Sequence, residues 1–234
     1  MSLRWSHLLV LLAALTLPGT RLCAQSSSSS RHHTDKSVAE KPLDSGSVND
    51  GIYRNKTLGL TCKIPDEWVL RTDEMNGHGD GLPDATAKSA VADASQPAQA
   101  PSSDSGGKVL LAAFSRPPEA KGEEVNSSIL IAAEPVTAYP GLKDPVQYFG
   151  PLSEVAQAQG LQKDEDPYEV AIGPQTLVRG DFHKDVGTRV MRQSTLVMLS
   201  HGYAVSITVI AGSDDGIEEL VNGLDFQRPR RSTK

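Results

Sequence analysis

The sequence has little cysteine, no excess of cations and no apolar run long enough to cross a membrane as a helix. The uncharged stretch at residues 8–17 has ten residues. A spanning helix needs about 20, so this stretch excludes a permanent helical anchor. Acids outnumber Lys and Arg by 29 to 23, for a formal charge of -6. That balance argues against non-specific nucleic-acid binding, which depends on cations at phosphates. Several catalytic signatures are also missing. There is no G-x-S-x-G elbow, no S-x-x-K beside the other β-lactamase motifs, no H-E-x-x-H, no Walker A and no G-x-G-x-x-G between a strand and a helix. Gly77-His78-Gly79-Asp80-Gly81 only mimics a phosphate loop, because it lacks the lysine. No internal repeat is present, and no cofactor is implied.

What is there begins with residues 1–24, which read as an export signal. Arg4 supplies the positive start, residues 8–17 the apolar middle, and Pro18-Gly19 a break. Leu22-Cys23-Ala24 supplies a cleavage site with Ala24 last. The competing reading makes Cys23 a lipidated residue; Arg21 and Leu22 fit it badly, because that route uses small residues before the cysteine. The expectation is an extracytoplasmic protein, periplasmic or secreted, with no transmembrane segment in its mature form. Cleavage removes Arg4, Arg21 and Cys23, which moves the formal charge from -6 to -8 and leaves Cys62 as the one thiol. Cys62 alternates with Thr61 and Lys63 between Leu60 and Ile64, which reads as a small core hydrophobe; a reactive thiol is the sharper alternative.

Residues 25–50 read as a disordered Ser-rich linker. It opens with five serines, has no helical or strand period, and offers too little apolar surface to offset its ordering entropy. Its His32-His33 pair is a poor metal site. A second low-complexity stretch covers residues 76–107. Within it, residues 84–93 read as a short helix, and residues 76–87 fail as a calcium loop because Ala87 stands where the terminal Glu belongs. The expected domain is 51–228 with this loop inside it, followed by a basic tail at 229–234.

Strand signals dominate that domain. Residues 60–64 alternate, and residues 109–114, 129–133 and 168–172 are short apolar runs bounded by turn formers. Residues 175–184, 188–199 and 203–211 follow one another through short turns, the pattern of an antiparallel meander. Two helices are legible. Asp144 caps one, with Pro145 at its first position and Gly160 at its end; Pro151 inside it predicts a kink, or a split at Gly150. Asp215 and Glu218 predict a capping box for the other, with Ile217, Leu220, Val221 and Leu224 on one face.

Residues 53–68, YRNKTLGLTCKIPDEW, carry an aromatic, a Gly-apolar strand and a Pro-x-x-Trp in succession. This segment resembles the opening hairpin of the PsbP-like α/β/α sandwich family, and the order of elements up to the closing helix and Leu224-Asp225-Phe226 is similar. The resemblance implies an α+β sandwich: a mostly antiparallel sheet of about six or seven strands with helices packed on it. That family includes a photosystem assembly subunit, a nuclear-import factor that binds a small GTPase, and exported bacterial proteins of the DcrB type. Its members act mostly by contacting other proteins and share no catalytic set. The resemblance therefore implies a non-enzymatic binding or assembly-accessory protein whose partner is another extracytoplasmic protein.

One polar set stands out. Strand alternation puts Arg179, Asp181 and His183 on one face, with Arg192 near on the neighbouring strand. His183 beside Asp181 is the kind of pair that tunes an imidazole. The plainer reading is the solvated face of a meander, opposite Val178 and Phe182. These four residues are the candidates for a binding surface. The alternative function is a small-ligand-binding or hydrolytic protein with a helix–sheet pocket lined by Arg179, Asp181 and His183.

Overall fold

The computed structural model describes residues 43–77, 107–120, 122 and 124–227. The export signal, most of the linker, residues 78–106 with their helix and calcium-loop readings, and the basic tail lie outside the described residues. All described residues belong to one compact unit, Glu40–Lys234.

The meander forms as its alternation predicts. β9 (Gln175–Val186), β10 (Arg189–Ser200) and β11 (Tyr203–Ala211) pair antiparallel in sequence. His201 and Gly202, both at positive φ, make the two-residue turn from β10 to β11, a turn whose twist matches that of the strands it joins. β11 continues the sheet through β6 (Ser128–Pro135), β5 (Lys108–Phe114) and the short β4 (Val69–Leu70). On the other side, β7 (Gln162–Lys163) and β8 (Tyr168–Ile172) share the outer edge of β9.

The strands divide into two sheets rather than one of six or seven strands. Among the described residues the sheet just described has eight strands, and β1 (Ser47–Asn49), β2 (Ile52–Asn55), β3 (Leu60–Lys63) and β12 (Leu224–Phe226) form a second of four. Among the described residues the fold is α+β and antiparallel in every pairing, with three helices packed on the sheets. The fold also starts before residue 51. Leu43 is buried at 8 % exposure and β1 lies inside the expected linker. Asp50 and Gly51, both at positive φ, turn β1 into β2, the conformation that this dipeptide favours in hairpins.

Both faces of the large sheet are covered, and alternation along β11 shows how. Val205, Ile207 and Val209 join Tyr53, Leu60, Cys62 and Phe226 of the small sheet in one core, which Ile217, Leu220 and Val221 of α3 (Asp214–Asn222) complete. Ala204 and Ile210 face the other way, into a second core with Val178, Phe182, Met191 and Val197 under α2 (Pro145–Ala158). Cys62 is fully buried, and burial pushes its thiol up to about 12, which keeps it a neutral core group. Trp68 packs against the first core from its rim.

Asp144 caps α2 as expected, accepting from Val146 N at 2.9 Å, and the Gln147 side chain accepts from Asp144 N at 3.2 Å. The helix is not split at Gly150. It runs on through Pro151, because burial of Tyr148, Phe149 and Ala156 against the sheet offsets the one hydrogen bond the proline removes. Gly180 makes that packing possible: a Cβ there would sit 2.5 Å from Phe149 Cε1. α3 starts earlier than predicted. Ser213, not Asp215, is its cap, accepting from Gly216 N at 3.1 Å, and Asp215 lies in the first turn. α1 (Thr72–Gly77) takes up Asn76, which the sequence placed in the loop. Its side-chain amide donates to Val109 O at 2.9 Å and accepts from Val109 N at 3.0 Å, so one side chain stands in for a missing strand at the edge of β5.

Candidate functional site

β9 brings Arg179, Asp181 and His183 to one face, as its period of two requires, but the first two are largely shielded from water. Arg179 and Asp181 are only 12 % and 19 % exposed. Two elements cover them that alternation cannot foresee. β8 pairs along the edge of β9 and carries Tyr168 over it, and α3 carries Glu218 across from the next layer.

The result is a linear chain of partners. Arg179 Nε donates to Asp181 Oδ1 at 2.9 Å, and its Nη2 meets Glu218 Oε1 at 2.7 Å. The other Asp181 oxygen accepts from the Tyr168 hydroxyl at 2.8 Å. Burial opposes charge on Arg179, but its hydrogen bonds to Glu218 and Asp181 outweigh this and hold the guanidinium more firmly protonated than usual. Partial burial and the Asp181 carboxylate push the Tyr168 hydroxyl up to about 12. His183 stands apart from Asp181: its Nδ1 pairs with Asp164, in the bend between β7 and β8. The predicted Asp181–His183 pair is not made.

Arg192 lies directly across from His183 in the register of β10 and β9, and its Nε pairs with Asp214 at 3.0 Å. It lines a hollow of about 550 Å³ with Glu124, Arg189 and Ser213. The surface hollows include four of about 350 to 550 Å³, and the walls of these four include none of Arg179, Asp181 and His183. None of these four is a helix–sheet pocket lined by that trio. Arg179 reaches Glu218 of α3, Asp181 meets Tyr168 of β8 and His183 meets Asp164, while the residues under α2 are Val178, Gly180 and Phe182.

A second polar site escaped the sequence reading. Glu134, on β6, is 8 % exposed and lies on the α2 face of the sheet, opposite Ala204. The Tyr139 hydroxyl donates to its Oε2, and the Tyr148 phenol interacts with it as well. Burial, partly countered by the Tyr148 hydrogen bond, raises its carboxyl above the ordinary range. The two tyrosine rings meet edge to face, with centroids 5.2 Å apart at 75°, a favoured aromatic geometry. Both rings wall a hollow of about 420 Å³, together with Pro140, Leu142, Gln147 and Pro151. The sequence signal is slight: the apolar run ends at Ala133, one residue before the acid.

No cluster of three or more His, Cys, Asp or Glu side chains placed to hold a metal occurs among the described residues. None of their helices is long and apolar enough to cross a membrane.

No family model matches the chain, and no curated protein matches it. Among solved structures, it is similar to LpqN of Mycobacterium tuberculosis, a protein described as involved in cell envelope biogenesis. That match has 15% identity over 72% of this chain and 83% of LpqN, with a TM-score of 0.33. A protein from Bacteroides thetaiotaomicron matches at 11% identity over 72% of this chain, with a TM-score of 0.36. The matched region spans 45% of that protein.

Proposed function

We propose that this chain is an exported, non-catalytic binding protein that works outside the cytoplasm by contacting another protein. The observation that carries this reading is the use made of Arg179, Asp181 and Glu218. They are the groups best suited to acid–base or anion chemistry, and their charges are spent on one another. A general base or nucleophile needs a side chain aimed at a volume where a substrate atom can sit. This set instead fastens β9 to β8 and α3, which is the work of a scaffold.

Two further features support the proposal. Residues 1–24 have the charge, apolar stretch and cleavage site of an export signal. The segment that resembles PsbP-like proteins forms the β2–β3 hairpin, with Tyr53 buried, its hydroxyl donating to Ser45 O at 2.9 Å, and Trp68 packed at the rim. A PsbP-like ancestry fits this arrangement and the closing α3–β12 unit, and it favours protein contact over catalysis.

Crosslinking in the native host, followed by identification of the attached proteins, tests the reading. The expected result is a discrete extracytoplasmic partner that also captures this chain in the reciprocal experiment, with the mature N-terminus at Gln25. Recovery of the chain alone, or in the cytoplasm with residues 1–24 intact, overturns it.

A further inference from the structure

Glu134 poses a problem that the rest of the fold does not share. It is a buried acid at the end of an apolar strand, and no cationic side chain pairs with it among the described residues. Its hydrogen-bond donor is the Tyr139 phenol, and the Tyr148 phenol interacts with it as well. A carboxylate in such a place costs stability, and a group held there at that cost is a mark of a functional site. The two phenols hold the acid just behind a wall of the 420 Å³ hollow. Their rings, edge to face, form that wall, and Pro140, Leu142 and Pro151 give it further apolar surface.

The charge balance around the hollow has one sign at its floor. Tyr148 comes from α2, Tyr139 from the short 3-10 turn after β6, and Ser206 from β11, hydrogen-bonded to Tyr148. None of these groups brings a cation to Glu134. Lys143 and Asp144, on the loop that leads into α2, are both exposed, and Asp144 is occupied with the helix cap. A phenol that donates its proton to a carboxylate becomes richer in π electrons, and an electron-rich ring attracts a cation to its face.

We infer that the hollow between the residue 138–142 loop and α2 is a binding site for an alkylammonium group, with Tyr139 and Tyr148 as its aromatic walls and Glu134 as the counter-charge behind them. The ammonium head lies against the rings, and the alkyl stem runs over Pro140, Leu142 and Pro151. A lysine side chain of another protein and a small free amine share this chemistry. A protein lysine at this site would be one form of the protein contact proposed above, whereas a free amine would be independent of it.

Amide chemical shifts of the full 234-residue chain provide the test. The probes are acetyl-lysine methylamide, pentan-1-amine and, as a neutral control, pentan-1-ol. Both amines should produce saturable shifts confined to residues 134–151, and the alcohol should bind about tenfold more weakly or not at all. Tighter binding of the lysine compound points to a protein lysine as the source, and tighter binding of pentan-1-amine to a free amine. Glu134→Gln should weaken amine binding by about tenfold while leaving the dispersion of the spectrum intact. If Glu134→Gln unfolds the chain, Tyr139→Leu on the part-exposed wall replaces it, with the same loss expected. Equal binding of amine and alcohol, no shifts at these residues, or amine binding unchanged in the variant that folds overturns the inference.

Discussion

The two faces of the large sheet treat buried charge in opposite ways. On the α3 side, Arg179 meets two carboxylates and Asp181 meets a cation and a phenol. On the α2 side, Glu134 meets phenols only. A paired charge offsets its own desolvation and ties elements together, whereas one without a counter-charge raises its pKa and leaves a field in the protein. The first arrangement reads as architecture and the second as a site. Residue type alone draws attention to the wrong one, because an Arg-Asp-His row looks more like chemistry than a glutamate between tyrosines.

The comparison breaks most visibly at Arg179. Arg179→Met leaves Asp181 in place without its cation, and removing one partner of a largely buried pair costs about 3 kcal/mol. Urea unfolding measures this; a loss near zero makes the α3-side network ornamental. Next comes Gly180→Ala, one residue along β9 and on the opposite face. The added methyl meets Phe149 and should cost about 2 kcal/mol through overpacking, visible as a lower thermal midpoint, and Phe149→Leu in the same chain should recover part of it.

The smallest effect is a slope. Because the folded carboxyl of Glu134 is raised, the folded state binds this proton more tightly than the unfolded chain does. Its contribution is then most favourable at low pH, and it weakens stability as pH rises from the ordinary 4.5 through the raised value. The difference in stability between Glu134→Gln and the parent should shift in favour of the variant across that window. A difference independent of pH means the carboxyl is not raised.

Much of the fold was legible in the sequence. The strands from β8 to β11 follow from period-two alternation and short turns, and the start of α2 from Asp144-Pro145. What stayed hidden depends on partners distant in sequence. Nothing local says that Leu224 will pair with Cys62, so a second sheet could not be separated from the first. β4 and β7 have two residues each and no period to read. β1 was masked by a Ser- and Asp-rich setting, although Asp50-Gly51 is itself a hairpin signal. The cap of α3 was placed at Asp215 because Ser213, Asp214 and Asp215 are all cap formers, and geometry alone selects among them. At the site, alternation put Arg179, Asp181 and His183 on one face but could not foresee that Tyr168 and Glu218 would close over it. Glu134 was invisible because its burial depends on α2, and its phenols arrive from a turn and a helix.

The central claim is that the Arg179–Asp181 pair is structural, and a double-mutant cycle tests it most directly. Arg179→Met, Asp181→Asn and the double variant are compared by urea unfolding, with capture of the crosslinked partner as the second readout. The account predicts that the double variant costs little more than either single one, a coupling of about 1.5 kcal/mol or more, with partner capture unchanged in every variant that folds. Additive losses with no coupling, or loss of partner capture in a variant that still folds, would contradict it and return the row to the role of a binding surface.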